Sequence, residues 1–185
     1  TLMPISNHAP FDELPVSERL LYPEPKDRQQ HMGNSIRAAD KYLEAFFACL
    51  GERDYLANSL VLITGDHSFP CGGHGQTTSA AKYYEESFRT PFLLLGRPEL
   101  RGKRVTHPAF SQLDIAPPIL DLLDLAVTNH FLGRSMVDPS SKDEVTHFLI
   151  QPFDGTYVCA VKFPFKYVHH MLGGEEMLFD LLADP

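Results

Sequence analysis

The stretch that decides the fold of this chain is Val61-Leu62-Ile63-Thr64-Gly65-Asp66-His67. Its first three residues form an apolar run, which predicts a buried parallel strand because such strands face apolar surroundings on both sides. Gly65 allows a sharp turn where the strand ends, and open α/β sheets build their sites at that end of their strands. Two residues of metal-ligand type, Asp66 and His67, follow directly.

These two residues allow two interpretations. Asp66 offers a hard carboxylate oxygen and His67 an imidazole nitrogen, a pair suited to Zn²⁺ or Mn²⁺ and less to Ca²⁺. Gly-Asp pairs also mark ordinary turns, so Asp66 would then cap the turn and His67 would be a loop histidine. The choice between a metal site and a turn depends on the rest of the sequence.

Other motifs occur in a fixed order around this stretch. They are Asn7-His8-Ala9-Pro10-Phe11, the helical pattern at 34–50, the apolar run at 89–95, the run at 111–123 with Asp114-Ile115-Ala116-Pro117, Gly133-Arg134-Ser135-Met136 and Leu178-Phe179-Asp180-Leu181. Together they resemble the sulfatase family of the alkaline phosphatase superfamily, nearest its lipoteichoic acid synthase and phosphoglycerol transferase branch. Pro118 stands where the family usually carries Thr.

The resemblance implies an α/β fold. Residues 1–137 would form the C-terminal half of a sulfatase-like catalytic domain, which is an alkaline-phosphatase-like α/β/α sandwich, and residues 138–185 a small antiparallel β subdomain. It also implies that the covalent nucleophile and further metal ligands lie upstream of Thr1, because no signature of the nucleophile strand occurs here. We therefore expect the C-terminal portion of a longer enzyme, whose missing N-terminal half would complete the site.

The resemblance also implies roles for individual residues. Asp66 and His67 would bind a divalent cation (Mn²⁺, Zn²⁺, Ca²⁺ or Mg²⁺). His8 would contact the substrate, and the alternative for His8 is a histidine that packs in a surface loop. His74 lies between glycines, which permit close approach of a ligand, and is a second candidate for substrate binding. A second metal or simple loop mobility are the alternatives for His74.

The implied activity is hydrolysis or transfer of a sulfate or phosphate ester, and the alternative is a non-catalytic anion-binding module of the same fold. The formal net charge of −8 argues against a nucleic-acid surface. The resemblance implies an extracytoplasmic location, with any membrane anchor in an upstream segment.

Periodicity predicts the remaining elements. Prolines spread through residues 1–30 indicate a loop, and an apolar stripe from Ile36 to Leu50 predicts a helix over 30–51 that Gly51 stops. A further helix is expected over 111–125. Runs rich in β-formers predict an antiparallel meander with strands at 146–151, 156–162 and 166–172.

Four other features are interpreted as having no part in the site. His169 and His170 are adjacent in a strand, so their side chains point to opposite faces and do not share an ion. Glu85 and Glu86 are interpreted as solvated charge. Cys71, although close to the Asp66 pair, is interpreted as incidental, and 138–144 is the best linker candidate.

Overall fold

The computed structural model describes residues 7–70, 72–75, 83–104, 110–138, 145–152 and 156–183. Cys71 and residues 139–144 of the linker candidate lie outside the described residues. The chain divides into two compact units, Thr1–Ser59 and Leu60–Pro185. Its helices and strands are α1 (Arg28–Glu52), β1 (Val61–Thr64), β2 (Phe92–Leu95), α2 (Ala116–Leu122), β3 (His147–Gln151), β4 (Tyr157–Lys162), β5 (Phe165–His170) and β6 (Glu176–Asp180).

The first unit is built on the predicted helix, α1. Asp27 caps its N-terminus, where the carboxylate accepts a hydrogen bond from Gln30 N at 2.9 Å. The helix continues through Gly51 to Glu52, so the predicted stop at Gly51 is wrong by one residue. The left-handed residue that follows is Asp54, with φ 56°.

The proline-containing segment before α1 is held by one buried side chain, Asn34. Its Oδ1 accepts hydrogen bonds from Leu21 N at 3.0 Å and Tyr22 N at 2.9 Å, and its Nδ2 donates to Tyr22 O at 2.7 Å. Between residues 8 and 27 the chain forms one short 3₁₀ turn, Val16–Glu18, and no longer helix or strand. The predicted loop is therefore confirmed for the described part of this segment.

The apolar stripe of α1 does not form the buried face of the helix. The buried residues of α1 are Asn34, Ser35 and Ala38, whereas Ile36 is 53% exposed and Phe46 is also exposed. The polar contacts of Asn34 and Ser35 determine which side of the helix is covered, and that side is not the one with the apolar periodicity.

In the second unit, β1 pairs antiparallel with β2, from Val61↔Leu95 to Thr64↔Phe92. The prediction of a parallel strand is therefore wrong for the described residues, and the strand is half-buried rather than buried. An apolar run specifies burial preference but not the direction of its partner. Gly65 has a φ outside the left-handed region, and its missing Cβ instead leaves room for His67 O, which would lie 3.1 Å away.

The predicted antiparallel meander is confirmed, with one additional strand. The strands β3–β4–β5–β6 form a four-stranded antiparallel sheet in chain order. Its core contains Tyr157, Cys159 and Val168, with Met177 and Phe179 of β6 packed against them. No strand was predicted at 176–180, where Leu178-Phe179-Asp180-Leu181 was matched only as a motif, and the pairing of β6 with β5 defines this strand.

The helix predicted over 111–125 is much shorter in the structure. Ser111 and Asp114 form a capping box around a 3₁₀ turn, Gln112–Asp114, and α2 then spans only seven residues. Prolines occupy its first turn, as predicted. Asp124 has φ 53°, and this left-handed residue follows the end of the helix at Leu122.

Candidate functional site

Asp66 and His67 follow β1 directly and present their side chains to solvent. The carboxylate and the imidazole are 67% and 64% exposed, and Asp66 Oδ2 lies 3.8 Å from His67 Nε2. Two ligands of one tetrahedral or octahedral ion, each about 2.1 Å from it, are roughly 3 to 3.5 Å apart. A small side-chain rotation brings the two atoms to that separation, so the pair fits as part of a divalent metal site.

The hydrogen bonds of His67 identify the nitrogen that is free for a ligand. Its Nδ1 lies 2.8 Å from the carbonyl oxygen of Ser68. A carbonyl only accepts, so Nδ1 carries the proton, which leaves Nε2 with a lone pair in the neutral ring. Metal-binding histidines are commonly held in this way by a backbone carbonyl. The turn interpretation is also partly right, since Asp66 Oδ1 accepts from His67 N at 2.9 Å.

Gln112 supports the backbone of this turn, a role that the sequence motifs did not predict. Its Nε2 donates to Gly65 O at 3.1 Å and to Asp66 O at 2.7 Å. The signal for it was present in the motif at 111–123, whose Gln precedes the capping-box Asp by two residues. The 3₁₀ turn Gln112–Asp114 therefore positions the Asp66 main chain.

The segment that carries Gln112 is itself fixed by Asp114 and Gly133. Asp114 is buried, and its carboxylate accepts from Ser111 N and Arg134 N, each at 2.7 Å. A Cβ on Gly133 would overlap the carbonyl of Leu113 and lie 2.7 Å from Asp114 N. Two of the sequence motifs, those at 111–123 and 133–136, thus meet beneath the turn after β1.

His74 is held by a carboxylate. Its Nδ1 lies 2.9 Å from Glu86 Oε1 and 3.1 Å from Glu86 Oε2, and its ring stacks on Tyr84 with centroids 3.9 Å apart. The interpretation of Glu86 as solvated charge is therefore wrong. The pairing of Glu86 with His74 could not be predicted from local sequence, because the two residues are twelve positions apart.

Glu85 is also paired, with a buried lysine. Lys166 is 1% exposed. Its Nζ lies 2.8 Å from Glu85 Oε1 and 4.6 Å from the centroid of the Phe88 ring. Glu85 and Lys166 line a cavity of about 210 Å³ together with His74, Tyr83, Tyr84, Phe179 and Leu181. Burial, followed by the hydrogen bond to Tyr84, raises the pKa of Tyr83 to about 12, so this phenol stays neutral through the physiological range.

His8 lies in the first unit, and its geometry is local. It is exposed, its Nδ1 lies 2.7 Å from Ala9 O, and its carbonyl accepts from Phe11 N at 3.0 Å. Its neighbour Asn7 accepts a hydrogen bond from Ser35 Oγ at 2.7 Å. The segment is thus anchored to α1 while the ring of His8 remains open to solvent.

His169 and His170 behave as the sequence predicts. Both lie in β5, and each faces its own carboxylate: His169 Nδ1 is 3.8 Å from Glu176, and His170 Nδ1 bonds Glu175. Among the described residues, no three His, Cys, Asp or Glu side chains cluster closely enough to hold a metal ion. Asp66 and His67 therefore form a candidate pair of ligands, and no third such side chain joins them within the part of the chain that the structure describes.

No helix within the described ranges is long and apolar enough to cross a membrane.

A comparison with known families matches residues 1–125 to the Sulfatase family. The chain belongs to the sulfatase family. The matched range includes the turn after β1, the loop of His74 and the capping box at Ser111. The branch of lipoteichoic acid synthases, which the resemblance favoured, is not distinguished by this match.

Curated relatives are similar over most of this chain. The Delta 4,5-hexuronate-2-O-sulfatase of Bacteroides thetaiotaomicron is 26% identical over 169 residues, which is 84% of this chain and 34% of the relative. Arylsulfatase K of Gallus gallus is 28% identical over 162 residues, which is 79% of this chain and 30% of the relative. The chain thus spans about a third of the length of the relatives it matches.

Solved structures share the fold. A protein determined in complex with its substrate D-glucosamine-2-N,6-O-disulfate superposes with a TM-score of 0.66 at 20% identity, covering 85% of this chain and 35% of that one. A phosphonate monoester hydrolase from Silicibacter pomeroyi gives a TM-score of 0.66 at 19% identity, covering 89% and 38%. The predicted fold class, the C-terminal part of an alkaline-phosphatase-like α/β fold, is confirmed.

Proposed function

We propose that this chain is the C-terminal portion of a metal-dependent enzyme that hydrolyses a sulfate ester. The observation that carries the proposal is the Asp66–His67 pair in a chain matched to the Sulfatase family. The pair presents Asp66 Oδ2 and His67 Nε2 within 3.8 Å of each other, and the bond from His67 Nδ1 to Ser68 O leaves that Nε2 free for a ligand.

The candidate residues of this chain have separate roles in metal binding and substrate binding. Asp66 and His67 supply two ligands to a divalent cation, and Gln112 fixes the main chain that carries them. When bound, such a cation stabilises negative charge on the group being transferred and lowers the pKa of a nucleophilic hydroxyl. His8 and His74 contact the substrate through their imidazoles. The nucleophile and the remaining ligands come from an N-terminal half of the enzyme.

The substrate class rests on the relatives. One is named for a sulfated hexuronate and one structure contains a disulfated glucosamine, so a sulfated sugar is the substrate we favour. Phosphoglycerol transfer is the second candidate function, and the segment from Asn7 to Phe11 favours it. A third possibility, a non-catalytic anion-binding module, is separated from both by an activity assay.

The same proposal covers organisation and location. We propose a boundary near residue 137 between the catalytic domain and the antiparallel β subdomain. We place the enzyme outside the cytoplasm, because one relative is named as an extracellular sulfatase homolog of Drosophila melanogaster.

The proposal is tested by Asp66→Ala and His67→Ala in the full-length enzyme, with His130→Ala, an exposed histidine outside the site, as the matched control. We expect both site variants to lose bound divalent metal and the hydrolysis of aryl sulfate esters, while their circular dichroism stays unchanged. The control should keep metal and activity. Normal metal content and normal turnover in either site variant would contradict the assignment.

Parallel assays with aryl phosphate esters and with a phosphoglycerol donor separate the candidate functions. Metal-dependent hydrolysis of the sulfate ester alone supports the sulfatase. Transfer from the phosphoglycerol donor to an alcohol supports the second candidate, and absence of turnover on all three supports the binding module.

A further inference from the structure

The short 3₁₀ turn Glu85–Ser87 connects three parts of the second unit. Glu85 binds the buried Lys166 of β5. The carbonyl of Glu86 accepts a hydrogen bond from Ser68 Oγ at 2.6 Å, in the segment immediately after the Asp66–His67 pair. The side chain of Glu86 binds His74. The turn is therefore fixed from two sides, and its one remaining carboxylate is aimed at a histidine.

The geometry of this carboxylate and imidazole defines the proton position. Both oxygens of Glu86 lie within 3.1 Å of His74 Nδ1. An ionised carboxylate only accepts, so Nδ1 carries the proton. Nε2 is then the nitrogen left for another partner, and in the neutral ring it is an acceptor.

One further contact restricts the ring, and the backbone beside it leaves room for the carboxylate. Tyr84, the residue before the turn, stacks on His74 with an interplanar angle of 5°. A Cβ on Gly73 would lie 3.1 Å from Glu86 Oε1, so glycine at this position gives the carboxylate room to approach. The ring is thus constrained by a hydrogen bond at one nitrogen and by an aromatic face, and the backbone around it is compatible with both.

We propose that Glu86 is a positioning residue, which holds His74 in the Nδ1–H form so that Nε2 accepts a hydrogen bond from an O–H group of the bound ester. The proposal rests on the role of His74 in substrate binding under the proposed function. It assigns Glu86 a part in turnover without contact to the substrate, through the orientation and the tautomer of one imidazole.

The test measures the tautomer and the turnover separately. The full-length enzyme is labelled with ¹⁵N-histidine, and His74 is assigned by comparison with His74→Gln. Two-bond ¹H–¹⁵N correlation spectra then distinguish a protonated ring nitrogen from one with a lone pair. We expect wild-type His74 to carry its proton on Nδ1 at pH values where the ring is neutral. A proton on Nε2 would overturn the proposal, whether or not the enzyme turns over any ester tested.

The variant Glu86→Ala removes the acceptor. We expect His74 to lose the Nδ1–H form and turnover to fall by about 10-fold to 100-fold, by analogy with the loss of a carboxylate that orients a metal-binding histidine. Metal content should stay constant. A retained tautomer, or a changed tautomer with normal turnover, would show that Glu86 does not position His74.

Glu86→Gln distinguishes positioning from a loss of folding. Its amide oxygen can still accept from Nδ1–H, so we expect the tautomer to be kept and turnover to fall by less than about 10-fold. A larger loss in a folded Glu86→Gln enzyme with normal metal content would contradict the acceptor role. This variant decides the question if Glu86→Ala does not fold.

The chain offers a matched control in Glu175→Ala. Glu175 bonds His170 Nδ1 in the same way that Glu86 bonds His74, but at the end of β5. We expect this change to alter the spectrum of His170 and to leave both the His74 tautomer and turnover unchanged. If Glu175→Ala slows turnover as much as Glu86→Ala, the effect is not specific to His74 and the proposal fails.

Discussion

At the scale of residues, three candidate histidines share one feature. His8 and His67 each place Nδ1 against the carbonyl of the following residue, at 2.7 and 2.8 Å, and His74 places Nδ1 against a carboxylate. In each case the acceptor cannot donate, so Nδ1 carries the proton and Nε2 is the nitrogen that remains for chemistry. A neighbouring backbone carbonyl thus fixes the protonated nitrogen of His8 and His67, whereas a residue twelve positions away fixes that of His74.

His8 gives the first residue-scale prediction. We expect His8→Ala in the full-length enzyme to slow turnover by roughly 10²- to 10⁴-fold, as when a group that transfers a proton or stabilises charge is lost. Metal content should not change, and His130→Ala serves as the control. Loss of the metal in His8→Ala would instead make His8 a metal ligand.

The cysteines give a second prediction at this scale. Cys49 is exposed and Cys159 is buried, and burial raises the pKa of the Cys159 thiol, which keeps it in the unreactive neutral form. In a Cys71→Ser background, we expect a thiol-specific reagent to modify Cys49 in the native protein and Cys159 only after unfolding. Equal rates for the two thiols would show that the core around β4 opens readily.

At the scale of elements, the support of the Asp66 turn comes from a close approach of two segments. Gly133 lies against Leu113 and Asp114, where a Cβ has no room. We expect Gly133→Ala to destabilise the protein by about 2 to 3 kcal/mol, since overpacking forces the backbone to shift. Gly51→Ala is the control, because a Cβ there meets nothing within 4 Å and the helix gains about 0.5 to 1 kcal/mol. Urea unfolding measures both, and equal effects would contradict the contact.

The pair between β5 and the Glu85 turn gives a second element-scale prediction. Glu85→Gln leaves Lys166 buried without its counter-charge, and we expect a loss of about 3 kcal/mol. Adding Lys166→Met should recover most of that loss, because the buried charge is then gone. The exposed Arg37–Asp40 pair on α1 is the control, and Asp40→Asn should change the midpoint of urea unfolding little. No recovery in the double variant would show that Lys166 is stabilised by something other than Glu85.

At the scale of the whole molecule, the exposed apolar surface of α1 and the greater length of the relatives both favour a longer enzyme. The helix exposes Ile36, Tyr42, Leu43 and Phe46, and the chain spans about a third of the relatives' length. We expect an N-terminal half of a longer enzyme to cover this stripe, which accounts for an apolar periodicity that the structure leaves open to solvent. We expect the stripe to be an intramolecular surface of the longer enzyme.

The isolated chain provides the test. We expect it to self-associate with increasing concentration in light scattering, to bind divalent cations weakly and to hydrolyse neither aryl sulfate nor aryl phosphate esters, because two ligands rarely suffice for a catalytic ion. Phe46→Ser with Ile36→Ser should reduce the association, whereas Lys41→Ser, on the same helix, should not. Metal-stimulated multiple turnover by the monomeric chain would show that the site is complete within these residues.

Local chemistry explains what could be predicted from the sequence. The helix at 28–52, the strand at 61–64 and the meander follow from periodicity and turn residues within short windows, and the Asp66–His67 pair is proposed from its ligand types. The order of motifs then predicted the sulfatase family, which the match over residues 1–125 confirmed. Each of these features depends on neighbours along the chain, and the sequence displays such neighbours directly.

Only the tertiary structure decided the features that depend on contacts between distant residues. The antiparallel partner of β1, the clamp of Gln112 on Asp66, the burial of Lys166 against Glu85 and the bond of Glu86 to His74 join residues 12 to 81 positions apart. A charged pair in sequence has the same appearance whether it faces water or a partner, because desolvation and pairing are set by what the fold brings near it. The adjacent Glu85 and Glu86 therefore showed their two separate partners only when the fold placed β5 and the His74 loop beside the same turn.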